Sequence, residues 1–186
     1  MQGKRLSEII AAGPLPTDRV LEIGTSLAEI VEVAHAEARV FGALGPDTVF
    51  VVDDGVAQVL DAAHVAMSAR REDDILALGA ILYGMATGVA PYGGGQTTSG
   101  PCTDPAPPRS PIELNPSMPS GLVPLLRRGV HPVAAERFPS AGEILAALRE
   151  VQRAPGSLES LLPSEHISST APVKPPPRPE LDDPDD

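Results

Sequence analysis

The chain has 186 residues, room for one modest domain, and a net charge of −11 that argues against nucleic acid and anionic membranes, both of which need a basic surface. Apolar residues make up 42% but aromatics only 3%, so the core must come from Leu, Val, Ile and Ala. One cysteine, Cys102, excludes an internal disulfide and fits a reducing cytoplasm, and the scattered His35, His64, His131 and His166 lack metal-ligand spacing.

The N-terminal MQGKRLSEIIAAG has no apolar run of signal-peptide length. Leu6 to Ala12 reads as a short helix closed by Gly13-Pro14. A longer helix follows to about Ala38, with Thr17 as its N-cap and Asp18 in its first turn. Val20, Ile23, Leu27, Ile30, Val31 and Ala34 form its apolar stripe. Phe41 to Asp47 is a loop broken by Gly42, Gly45 and Pro46. Thr48 to Val52 and Val56 to Leu60 are β-branched runs around Asp53-Asp54-Gly55, which predicts a hairpin. Ile75 to Tyr92 carries no charge over about 18 residues, just short of the roughly 20 that span a bilayer, and its Gly and Pro content points to a buried helix. Gly93 to Ser117 predicts an irregular loop, and its GGGQ lacks the flanking strand and Gly-Lys-Ser/Thr of a phosphate loop. Ser120 or a neighbour caps a helix over Gly121 to Val130, with Pro124 in its first turn. Ser140-Ala141-Gly142-Glu143 is a capping box for a last helix running to about Gln152. Residues 154–186 hold eight prolines, seven acidic and two basic residues, a composition that predicts disorder. Within them 174–179 (KPPPRP) has the form of a polyproline II ligand for a Pro-binding domain. The expected fold class is therefore mainly α with one small β-hairpin, over residues 1–153, followed by a disordered Pro-rich acidic tail, 154–186.

Several stretches resemble a bacterial serine/threonine protein kinase C-lobe. The loop FGALGPDT sits in the frame of H-R-D-L-K-P-x-N, with Leu44 and Pro46 in agreement and Ala43 and Thr48 keeping the family's Asp-to-Asn gap of five residues. Thr48 to Asp61 keeps the spacing to the family's magnesium-loop Asp. Asp74 to Tyr83 (DILALGAILY) is similar to D-x-x-S-L-G-x-x-L-Y, and Gly84 to Tyr92 to E-x-x-T-G-x-x-P-F. His131 to Ala141 resembles D-P-x-x-R-F-x-S-A. His35 stands where many bacterial kinases carry a histidine and reads as a buried packing or hydrogen-bonded residue. The resemblance implies a structural role for Asp74, through the helix dipole and amides of the preceding loop. It also implies one for Arg137, whose family partner is the glutamate of A-P-E. That motif is missing, so Glu72 or Asp73 substitutes or Arg137 is solvated. Only Ala62 to Asp73 fill the place of the activation segment, with Ser68 as its one hydroxyl.

The phosphoryl-transfer chemistry is missing from this frame. Ala43 at the base position cannot accept a proton, and Thr48 is a poor ligand at the asparagine position. Asp61 survives alone, reading first as a turn or cap residue. Asp61 and Thr48 are degenerate metal-site positions. The chain also begins where a kinase N-lobe, with its glycine-rich loop and lysine, has ended. The expectation is a pseudokinase: no catalytic residue, no enzyme activity, no ATP, magnesium or other metal. It would act in the cytoplasm as a regulatory protein-binding module or scaffold, with homodimerisation as an equal outcome, and without nucleic acid or membrane. Two functional alternatives stay open, beside that of a decayed kinase with no selected role. One is a residual ATP-dependent phosphotransferase or nucleotide switch completed by a partner chain. The other is a small helical adaptor recruiting partners through its Pro-rich tail.

Overall fold

The computed structural model describes residues 3–52, 56–59, 70–92 and 108–154. In chain order these form β1 (Lys4–Arg5), α1 (Leu6–Ala11), α2 (Thr17–Ala36), β2 (Val49–Val51), β3 (Ala57–Val59), α3 (Arg71–Thr87), α4 (Pro111–Leu114), α5 (Leu122–Gly129), a 3-10 turn (Ala134–Glu136) and α6 (Ala141–Arg153). The fold is mostly helical with a small antiparallel sheet. The expected turn at 53–55, Asp61, Ser68, Cys102 and the residues from 155 onward lie outside the described residues.

α2 and α3 carry the core. The α2 stripe is buried as its spacing requires: Val20, Ile23, Leu27 and Val31 are fully enclosed. The helix packs along α6 and against α3. It begins one residue earlier than a Thr17 cap would place it. Pro16, extended at φ −55° and ψ 144°, is the N-cap, and Thr17 is the first helical residue.

α3 is enclosed on nearly all sides from Asp74 to Thr87. It starts at Arg71, three residues before the expected Asp74, because a local ring closes its first turn. The Asp73 carboxylate accepts from the Arg70 N–H at 3.1 Å, and the Asp73 N–H donates to the Arg70 carbonyl at 3.1 Å. Glu72, Asp73 and Asp74 also complement the helix dipole there. It stops at Thr87, short of Tyr92, because Gly88 turns left-handed (φ 76°) and its N–H returns to the Gly84 carbonyl at 2.8 Å. A Cβ on Gly88 would sit 3.0 Å from the Pro14 nitrogen, so the stop and the α1–α2 connection demand the same glycine.

The expected hairpin is there, but as two strands of three. Lys4–Arg5 adds to it: β1 pairs with β2 (Lys4 with Val51, Arg5 with Phe50), and β2 with β3 (Phe50 with Gln58). Two lysine-arginine residues carry no strand signal; β2 supplies the hydrogen-bonding template, and the Arg5 guanidinium lies over the Phe50 ring at 5.5 Å. A second correction falls in the Gly93 to Ser117 loop, where Pro111–Leu114 form one helical turn, α4, opened by proline at its first position. The side chain of Asn115 ties it to α3 through the Ala86 carbonyl at 2.9 Å. α5 is capped by the Gly121 backbone, not by the Ser120 side chain. α6 uses Ser140 as its cap, accepting from the Glu143 N–H at 3.2 Å.

Tyr83 is enclosed in α3, and its hydroxyl donates to the Arg109 carbonyl at 2.7 Å. Burial holds its phenol above the ordinary value of 10.0, against the lowering pull of Arg109, with Glu113 adding to the rise. On raising the pH the unfolded chain gives up this proton before the folded one does. The stabilisation is therefore full below about pH 10 and is lost above it. Melting temperature should fall between roughly pH 9 and pH 11, and Tyr83→Phe should flatten that fall while costing about 1 kcal/mol near neutrality for the lost hydrogen bond. An alkaline profile unchanged by Tyr83→Phe would refute this.

Candidate functional site

The loop between α2 and β2 is held by one buried carboxylate. Asp74 is 1% exposed and His35 5%. Asp74 Oδ2 receives the His35 Nε2 at 2.9 Å and the Phe41 N–H at 2.8 Å, and Oδ1 receives the Gly42 N–H at 2.8 Å. With only acceptor sites on the carboxylate, the His35 Nε2 is the donor of that bond. Arg71 closes the group by donating to the His35 carbonyl at 2.6 Å. Thus the start of α3 and the end of α2 jointly fix the entry to the loop. Gly42, at φ 68°, makes the turn that aims both amides at one carboxylate.

α2 ends in a left-handed residue of its own, Ala38 (φ 59°). The Arg39 N–H reaches back to the Ala34 carbonyl at 2.8 Å, the six-to-one bond of a Schellman motif. Glycine suits that position better than alanine, which pays steric strain there. Ala38→Gly is expected to stabilise the fold by about 1 kcal/mol, read by urea denaturation. A loss of stability would contradict it.

Farther along, Thr48 is turned into the loop. Its hydroxyl accepts from the Gly45 N–H at 3.0 Å and lies 3.0 Å from the Gly45 carbonyl and 3.3 Å from that of Ala43. Its oxygen is thus engaged by the backbone. Ala43, expected at the base position of the kinase frame, presents only a methyl group. Among the described residues no three His, Cys, Asp or Glu side chains gather as a metal set. Asp61, the third position of the frame, is not among them.

Arg137 follows neither expected course. Its Nε donates to the His131 carbonyl at 2.6 Å and its Nη2 to the Pro132 carbonyl at 3.0 Å, so it braces the turn before the 3-10 segment. Asp73, one of its expected partners, is instead bonded in the first turn of α3. A contact with no counterpart in the sequence reading is Glu32, whose carboxylate accepts from the Gly142 N–H at 2.8 Å and so caps α6 from α2. No local spacing links residues that far apart.

Beside the loop runs an open groove of about 660 Å³ between α2 and β3, floored by Ile30, Val33, Phe41, Val56 and Val59, with Ser26, Glu29 and Arg39 at its rim. Val33 is 57% and Val56 48% exposed, so both lining valines present apolar surface to solvent. Ser26 ties the two walls together by accepting from the Ala57 N–H at 3.1 Å. One signal in the sequence pointed here: Val33 lies off the apolar stripe of α2.

No helix among the described residues is long and apolar enough to cross a membrane. No protein-family model matches the chain. Individual proteins do. A probable serine/threonine-protein kinase of Clostridium perfringens is 24% identical over 187 residues, covering 83% of this chain and 27% of its own length. The serine/threonine-protein kinase PknH of Mycobacterium tuberculosis is 24% identical over 215 residues, covering 97% of this chain and 34% of its own. The chain thus spans about a third or less of the curated relatives it matches. Among solved structures, the PknI kinase domain of M. tuberculosis superposes with a TM-score of 0.64 at 21% identity, over 82% of this chain and 64% of that one. These relatives correct the expectation of a chain outside enzymology: they are named as kinases, which are enzymes. In sequence the chain is similar to bacterial serine/threonine protein kinases, and it has the fold of their kinase domain over the part it covers.

Proposed function

We propose that this kinase-like chain is a regulatory module of protein phosphorylation that works by binding another protein. The observation that carries this reading is the groove between α2 and β3, with Val33 and Val56 open to solvent on its floor. Apolar surface left open beside a rigid loop favours a partner that presents apolar side chains. A photo-crosslinking residue at Val33 should capture a kinase, phosphatase or phosphorylated protein in the host cell. Val56→Asp should weaken binding of that protein at least about tenfold, or roughly 1.4 kcal/mol. Unchanged affinity in Val56→Asp would remove the groove from the function.

The names of the relatives favour a second reading, an ATP-dependent phosphotransferase completed by a partner chain. Asp61 is its one acidic candidate in the kinase frame. Melting with millimolar MgATP tests it: ligand at 100 times its Kd adds about 2.7 kcal/mol, and Asp61→Ala should abolish the rise. A rise that persists in Asp61→Ala, or none at all, counts against this reading.

A further inference from the structure

We propose that, in the absence of a protein partner, the groove between α2 and β3 is occupied by a segment of the chain itself, Ser157–Leu162. The inference deepens the groove reading above and rests on it.

The path of the chain carries the argument. α6 runs antiparallel along α2, and its contacts step down that helix: Gly142 to Glu32, Arg149 to Glu29, Gln152 to Thr25. Glu29 both pairs with Arg149 at 2.7 Å and stands on the groove rim. The face of α2 that holds α6 and the face that lines the groove are therefore neighbours, separated by one side chain. α6 ends at Arg153, at the level of Thr25. From Thr25 to Ile30 along α2 is about 8 Å at 1.5 Å per residue. The four steps from Ala154 to Leu158 reach up to about 13 Å. Leu158 can therefore enter the groove directly on leaving α6.

The chemistry of the segment matches. Leu158, Leu161 and Leu162 recur at i, i+3 and i+4, one apolar face, and Pro163 follows. Beyond it the chain is dominated by Pro, Ser and acidic residues. Six residues are too few to hold a helix alone, so the segment would gain its order from the groove. The apolar floor of Ile30, Val33, Phe41, Val56 and Val59 is complementary to three leucines.

The test is paramagnetic broadening in the full chain, with Cys102→Ser and a spin label on Ser160→Cys. The Val33 and Val56 methyl signals should be lost with the label oxidised and return when it is reduced. The loss should be unchanged over a roughly tenfold dilution, as an intramolecular contact requires. Combining Leu158→Asp, Leu161→Asp and Leu162→Asp in the labelled chain should restore the signals. Three results would overturn the proposal: unbroadened methyls, broadening that fades on dilution (a second copy in the groove), or broadening that survives the aspartates. Because this reads the tail alone, it can fail while the Val33 crosslink succeeds, and the reverse.

Discussion

Gly79→Ala is expected to destabilise the fold by about 3 kcal/mol, the upper range of overpacking, measured by urea denaturation. A Cβ on Gly79 would lie 2.2 Å from the Gly129 carbonyl oxygen and 2.5 Å from its carbonyl carbon. The obstacle is backbone, which no rotamer change can clear. Relief requires α3 and α5 to separate, and with them the packing of Leu78, Leu82, Leu125 and Leu126, all fully buried. Gly84, five residues along the same helix, is the control. A Cβ there meets Ile10 Cδ1 at 3.6 Å, an ordinary contact. Gly84→Ala should therefore stabilise by up to about 1 kcal/mol through helix propensity. If the two alanines behave alike, the close approach of α3 and α5 is not what Gly79 serves. A loss of this size is a large share of the about 5–15 kcal/mol typical of a whole domain.

Asp74→Ala should cost about 3–5 kcal/mol, the range for removing one partner of a buried, hydrogen-bonded group. The substitution strands three donors at once, the His35 Nε2 and the N–H groups of Phe41 and Gly42. With both residues at most 5% exposed, water cannot readily replace the carboxylate. Asp74→Asn should cost less, since its one oxygen still serves the His35 and Phe41 donors while its amide group opposes the Gly42 N–H. Amide hydrogen exchange at Phe41 and Gly42 gives an independent reading. Both should lose protection in Asp74→Ala before the α2 and α6 amides do. A double-mutant cycle with His35→Ala should show coupling well above additivity. A cost under about 1 kcal/mol, or no coupling, would mean that the carboxylate does not organise the loop.

Some of this was legible in the chain. The α2 stripe from Val20 to Ala34, the enclosed helix after Asp74 and the capping box at Ser140 are local patterns, complete within a few residues. The kinase frame around Phe41 to Thr48 is likewise a matter of spacing along the chain. The helix ends were less legible. Thr17 reads as a cap until Pro16 takes that place, and α3 reaches back to Arg71 because the Asp73 side chain and N–H close a ring with the Arg70 backbone. The ends depend on which of several adjacent polar groups closes the first turn. The role of Arg137 could not be read at all. Its two nearby carbonyls at His131 and Pro132 become its partners only once the turn folds.

By itself the sequence determined the helical periods, the kinase-like frame with Ala43 and Thr48 in it, and the acidic, Pro-rich character of the last residues. These are properties of composition and short-range spacing, which the chain carries whether folded or not. Tertiary structure alone decided that Lys4–Arg5 extends the hairpin into a sheet, that Gly79 meets Gly129, that Asp74 receives His35 and the loop amides, and that Val33 and Val56 border one groove. Each of these joins residues more than about 20 positions apart. Such pairs have no characteristic spacing, and they exist only where packing of the helices brings the two stretches together.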